Sequence, residues 1–71
     1  QTAGLSHDHD EALVRGDPAT GKFAVIYSRA GRVIALDCVN NVRDYVQGRA
    51  LVERGAEIDA ALLTDPDVPL K

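Results

Sequence analysis

The sequence predicts an α+β domain: a small antiparallel sheet with a hairpin, packed on one longer and one short C-terminal helix. Three observations carry that prediction. Up to Val39 the chain holds short runs rich in Val, Ile and aromatic residues, separated by Gly, Pro and Asp, which is the punctuation of strands and turns. After Val39 the apolar residues recur at helical rather than alternating spacing. A length of 71 residues accommodates one small core and no more.

Taken in order, Ala12 to Val14 is a first strand run, and Gly16-Asp17-Pro18 reads as the turn that closes it. Lys22 to Ser28 and Arg32 to Val39 are two further runs, separated by Arg29-Ala30-Gly31 at hairpin distance. Because Ala30 resists positive φ, the expected loop keeps Ala30 right-handed and places Gly31 in a left-handed bulge position. Alternation puts Phe23, Val25 and Tyr27 on one face against Ala24 and Ile26, and Val33 and Ala35 on one face against Ile34, Leu36 and Cys38. Both faces are then largely apolar, so the sheet needs cover on both sides, more than the rest of the chain offers.

Asn40 or Asn41 can cap the helix that follows. Val42, Tyr45, Val46, Leu51 and Val52 supply its apolar side, and Arg43, Asp44, Gln47, Arg49, Glu53 and Arg54 its polar side. Gly55 suits the left-handed position that ends it, with Arg54 in the last turn complementing the dipole. Gly48 weakens the middle by about 1 kcal/mol relative to Ala, which points to close backbone packing there. Asp59 can cap a short helix through Ala60-Ala61-Leu62-Leu63, finished before Pro66. An extended tail, Val68-Pro69-Leu70-Lys71, closes the chain.

Composition narrows the function classes. Apolar residues are 45% of the chain and charged residues 27%, a globular balance, and no run approaches the roughly 20 apolar residues of a membrane span. Eight Lys+Arg stand against eleven Asp+Glu, a net charge of −3, with three aromatics and no Trp, a poor basis for a nucleic-acid surface. The single cysteine, Cys38, excludes an internal disulfide and suits a reducing, cytoplasmic setting. Cys38 follows Asp37 in an apolar strand, so it reads as a small core residue rather than an activated thiol. His7-Asp8-His9-Asp10 invites a metal reading, but on a loop the two imidazoles share no fixed geometry, and the segment is expected to be a polar loop. Gly16-Asp17-Pro18-Ala19-Thr20-Gly21-Lys22 superficially resembles a phosphate-binding loop. Pro18 interrupts it, and no Ser or Thr follows Lys22. Ser6, Thr20, Ser28 and Thr64 have no acid-base partner nearby in sequence. No catalytic, cofactor-binding or metal residue is expected in this chain.

Ala3-Gly4-Leu5, Val14-Arg15-Gly16-Asp17-Pro18, Lys22-Phe23, Gly31-Arg32-Val33 through Asp37-Cys38-Val39-Asn40, and Val68-Pro69-Leu70-Lys71 together resemble the C-terminal domain of FAD-dependent, NAD(P)H-dependent ferredoxin reductases. That group includes putidaredoxin reductase, rhodocoxin reductase and the reductases of aromatic-ring dioxygenase systems. The resemblance spans essentially the whole chain. It implies a glutathione-reductase-like parent with an FAD domain, an NAD domain and this third α+β domain, whose first strand is here partly truncated. FAD and NAD(P)H would belong to the parent and neither to this segment, so the segment by itself would be no enzyme. In such reductases electrons reach a small acidic [2Fe–2S] ferredoxin that serves a cytochrome P450 or a ring-hydroxylating oxygenase. The third domain covers the flavin region and helps the ferredoxin dock. By position, Arg49 and Lys71 resemble the family's ferredoxin-facing basic residues, and Arg15 serves as a comparison charge outside that set. The competing reading is a non-catalytic dimerisation or interaction module, self-associating through an exposed sheet face. Related flavoprotein disulfide reductases dimerise through their third domain but place a catalytic His near its end, and this chain has no His after His9.

Overall fold

The computed structural model describes residues 1–70. Its elements run β1 (Thr2–Gly4), β2 (Glu11–Asp17), a short 3-10 turn (Pro18–Thr20), β3 (Lys22–Arg29), β4 (Arg32–Val39), α1 (Val42–Glu53) and α2 (Ala60–Leu63). The strands form one antiparallel sheet in the order β1-β4-β3-β2. Sheet, hairpin, one longer and one short helix are as the sequence predicts.

Strand β2 is longer than the Ala12–Val14 run suggests. Gly16, at φ 90, stays in the ladder opposite Phe23, so pairing stops only at Pro18, which has no N–H to give. Asp17 then turns the chain by accepting from the Ala19 N–H at 2.9 Å.

The β3–β4 hairpin corrects the expected loop. Ala30 and Gly31 are both left-handed, at φ 52 and 80, and Arg29 pairs directly with Arg32. This is a two-residue primed turn, whose twist matches that of the strands. The strain of a left-handed Ala, about 1–2 kcal/mol, is set against anchors from a segment twenty residues earlier. Asp10 accepts from the Ala30 N–H at 2.9 Å, and Arg29 donates to the Asp8 carbonyl at 2.8 Å. The odd residue appears instead inside β4. Tyr27 pairs with Ala35 and Ser28 with Val33, which leaves Ile34 as a bulge. A bulge flips the alternation beyond it, so Val33 lies buried with Leu36 and Cys38 rather than grouping with Ala35 on the other face.

The helices cover one face of the sheet. Ala3, Ala24, Ile26, Val33, Leu36 and Cys38 form the core there with Leu51, Leu63 and Leu70. The opposite face carries Phe23, Val25, Tyr27 and Ala35, with Asp37 bonded to Thr2 and Tyr27 among them and Val14 and Val39 exposed, so both faces are largely apolar and the helices cover only one.

Asn41 caps α1, its side-chain oxygen accepting from the Asp44 N–H and its amide donating to the Asp44 carboxylate at 2.7 Å. Gly55 ends it at φ 57, and Arg54 occupies the capping position rather than the last turn. Asp59 caps α2 through the Ala61 N–H at 2.9 Å. The rotation of α1 about its axis differs from the amphipathic reading. Val42 and Val46 are 64% and 61% exposed, while Asp44 is buried. A carboxylate, not a valine, faces the sheet because its partner waits there.

Candidate functional site

That partner is Arg15. Rather than a surface charge, it is wholly buried (0% exposed) on the inner face of β2. Its Nε donates to Asp44 Oδ2 at 2.9 Å. Its Nη1 donates to the carbonyls of Leu62, Leu63 and Asp65 at 3.3, 3.2 and 2.7 Å, and its Nη2 donates to the Val68 carbonyl. Four of these acceptors belong to the end of α2 and the tail beyond it, a stretch whose carbonyls have few backbone partners of their own. One planar fork thus joins a strand, the first turn of α1 and the tail. Asp44 Oδ1 is buried without a hydrogen bond and lies 3.6 Å from Arg43 Nη2. The signal for this node was present in the alternation: Arg15 shares a face with Leu13, opposite Ala24 and Ile26.

Turning Asp44 inward turns other side chains outward. Val42, Val46 and Ala50, spaced four apart, form an exposed apolar line along α1. By helical position it is flanked by Arg43 and Arg54 on one side and Arg49 on the other. Arg43 and Arg49 are each 59% exposed; Arg43 donates to the Pro66 carbonyl at 3.2 Å, and Arg49 pairs loosely with Glu53 at 3.7 Å. Three arginines against one glutamate make this face cationic within a chain of net charge −3. Sequence reasoning singled out Arg49 here but read Val42 and Val46 as core. Lys71, its companion in that reading, lies outside the described residues.

His7 and Asp8 approach to 3.7 Å at the surface, and His9 donates to the Ser6 carbonyl while its ring meets Tyr27 edge-on at 4.9 Å. Among the described residues, no three His, Cys, Asp or Glu side chains gather as a metal would require. Burial above all, then the Asp44 carboxylate, pushes the Cys38 thiol up to about 11, the opposite of an activated nucleophile. Tyr27 donates to Asp37 at 2.9 Å, and that hydrogen bond raises its pKa. The segment from Gly16 to Lys22 is a strand end and one 3-10 turn whose Ala19 N–H is taken by Asp17. It does not fit a nucleotide phosphate. A hollow of about 150 Å³ lined by Leu51, Ile58, Leu62, Val68, Pro69 and Leu70 is apolar and smaller than a typical cofactor cleft. Neither the Gly16 to Lys22 segment nor this hollow fits FAD or NAD(P)H. Among the described residues no helix is long and apolar enough to cross a membrane.

Geometry alone defines a class: a small α+β domain with helices on one side of an antiparallel sheet and an open apolar face on the other. The chain belongs to the reductase C-terminal family, whose family model matches residues 1–71, and within it to the C-terminal domains of ferredoxin reductases. It is 61% identical over its whole length to the 5,5′-dehydrodivanillate O-demethylase ferredoxin reductase subunit of a Sphingobium species, covering 17% of that protein. It is 37% identical over 96% of its length to the putidaredoxin reductase of Pseudomonas putida, covering 16% of it. Among solved structures it superimposes on a chain of the covalent putidaredoxin reductase–putidaredoxin complex with a TM-score of 0.89 at 35% identity, covering 97% of this chain and 16% of that one. The ferredoxin reductase for the CYP199A2 system of Rhodopseudomonas palustris gives 0.88 at 27% identity, covering 99% of this chain and 17% of that one. The chain thus spans about one-sixth of the length of the relatives it matches.

Proposed function

We propose that the chain is the third domain of an NAD(P)H-dependent, FAD-containing ferredoxin reductase, and that it contributes to docking a [2Fe–2S] ferredoxin and covers the flavin region. When bound elsewhere in that parent, FAD supplies the redox chemistry. This segment supplies surfaces. Its uncovered apolar sheet face packs against the FAD and NAD domains of the same chain, and the outer face of α1 meets the ferredoxin. The observation that carries the docking reading is the cationic, valine-centred face of α1 in an otherwise acidic domain. It is complementary to a small acidic partner, and the related structure of a reductase joined to putidaredoxin supports it. Arg49 and Lys71 are the docking cations.

Rim charges act mainly on encounter rate, and they weaken as salt shortens the Debye length from roughly 10 Å at 0.1 M. In the intact reductase, Arg49→Glu and Lys71→Glu should each slow ferredoxin reduction at low salt by about threefold to tenfold. Reduction of a small artificial acceptor should not change. Lys22→Glu, at the exposed start of β3, is the control, since the buried Arg15 cannot serve as one. Unaffected ferredoxin turnover at low ionic strength, or equal loss with the small acceptor, would sink the reading.

A further inference from the structure

We infer that Arg15 is a positioning residue for ferredoxin docking: it fixes the tail against α1, so that the two segments presenting the docking surface are held in one arrangement before the partner arrives. The inference rests on the docking reading above and deepens it.

Beyond Leu63 the chain has no regular structure as far as Leu70, yet its path is held at three places by α1 and the strand beneath it. Arg15 takes the carbonyls of Asp65 and Val68, Arg43 takes that of Pro66, and Gln47 accepts from the Leu70 N–H at 3.2 Å. Leu70 itself is buried against the core. Lys71 follows directly in sequence, and the helical turns that supply Arg43 and Gln47 also carry Val42 and Val46. Arg15 is the member no partner can touch, because none of it is exposed. It is also the member whose loss releases most, since five of its hydrogen bonds end on α1, α2 or the tail. A tail ordered in advance spares the partner the entropy of ordering it on contact, which is how preorganisation raises affinity without adding a contact.

Arg15→Lys in the intact, flavin-loaded reductase tests this. It keeps the positive charge beside Asp44 and removes the fork that reaches the tail. Gln47→Ala releases only the last anchor and serves if Arg15→Lys does not fold. The probe is the ferredoxin that the unmodified enzyme reduces fastest among a panel of [2Fe–2S] ferredoxins. The expected result is a Kd for that ferredoxin weakened by about threefold to tenfold, in the same direction for both variants. Turnover with the small acceptor is unchanged. The slope of log Kd against log salt is also unchanged for Arg15→Lys, because no exposed charge has been altered, whereas Arg49→Glu changes it. A merely structural Arg15 would lower activity with both acceptors in parallel or leave Kd alone, and either result in a folded variant overturns the inference. If Arg15→Lys does not fold, an unchanged Kd for Gln47→Ala overturns it. Should Arg49→Glu and Lys71→Glu both leave Kd unmoved, the docking reading itself falls. If they weaken binding and the Arg15 and Gln47 variants do not, only the positioning role is lost.

Discussion

Replacing Gly48 by Ala sets two well-measured effects against each other at one atom. In an open helix position the exchange stabilises by about 1 kcal/mol, because alanine loses less backbone freedom than glycine. Here a Cβ on residue 48 would stand 2.6 Å from Leu36 Cδ1 and 3.4 Å from both Leu36 Cδ2 and Leu70 Cδ1. The nearest atom is the end of a side chain, but that side chain is 1% exposed in the middle of the sheet, on a strand paired with both β1 and β3. It has little room to retreat. Forcing an extra methyl into a packed core costs about 1–3 kcal/mol, so subtracting the helix gain leaves a net loss of about 0–2 kcal/mol. For a domain of this size, 1 kcal/mol is about 4–8 °C in Tm. Urea titration of the 71-residue chain should show a lower midpoint with an unchanged slope. The decisive comparison adds Leu36→Ala, which alone costs about 2–5 kcal/mol. In that background the methyl of Gly48→Ala enters vacated space, so the double variant should be more stable than the sum of the singles by about 0.5–3 kcal/mol. If Gly48→Ala alone raises stability by the full helix increment, the close approach between α1 and β4 is not what holds a glycine there.

Two further outcomes follow from the burial pattern. With Val14 and Val39 at 47% and 41% exposure on a sheet face that no helix covers, the isolated chain should self-associate, and Val14→Lys with Val39→Lys should restore a monomer; sedimentation of the unmodified chain as a monomer at high concentration would remove the argument. The Cys38 thiol, raised from 9.0 to about 11, holds its proton more tightly in the folded state than in the unfolded one, so its stabilising contribution is complete below about pH 9 and is lost as pH rises towards 11. Denaturation midpoints should fall across that window and not in Cys38→Ala, and an equal fall in both would assign the loss to other groups.

Local chemistry was legible in the sequence wherever the residues that decide a conformation are neighbours. A cap at Asn40 or Asn41, which the structure assigns to Asn41, Asp59 as the second cap, Gly55 as a stop and Gly48 as a contact point needed no knowledge of the rest of the chain. Where the deciding partner is distant, local rules gave the wrong answer. Ala30 adopts a left-handed conformation in a turn that Asp10, twenty residues away, holds by its N–H. Val33 changes face because the hairpin stores its odd residue at Ile34 rather than in the loop. Val42 and Val46 face solvent because Asp44 must face Arg15, 29 residues before it. On the outer face of α1, proposed above for docking, Arg49 could be picked out as one cation among several. The apolar line beside it could not, since periodicity alone assigns valines to the core.

The Arg15–Asp44 pair explains why the helix accepts so unusual a rotation. Two buried charges are a poor source of stability, because removing them from water costs about as much as their attraction returns. An apolar pair of similar volume would pack the same space and could bring Val42 and Val46 inward. It could not, however, satisfy the carbonyls of Leu62, Leu63 and Val68, which a four-residue helix and an irregular tail leave without a backbone donor, or reach that of Asp65, whose one backbone donor among the described residues is the Val68 N–H at 3.1 Å, and each buried carbonyl left without a donor costs about 1–3 kcal/mol. Only a guanidinium presents enough donors in one plane to reach Asp44 and all four carbonyls together. The charge therefore belongs to the tail more than to the core. Asp44 is there to make a buried cation tolerable, and the outward-facing valines are the consequence. The same buried guanidinium that fixes the end of the chain through Asp65 and Val68 also holds Asp44 inward, and with it the apolar, cation-flanked outer face of α1.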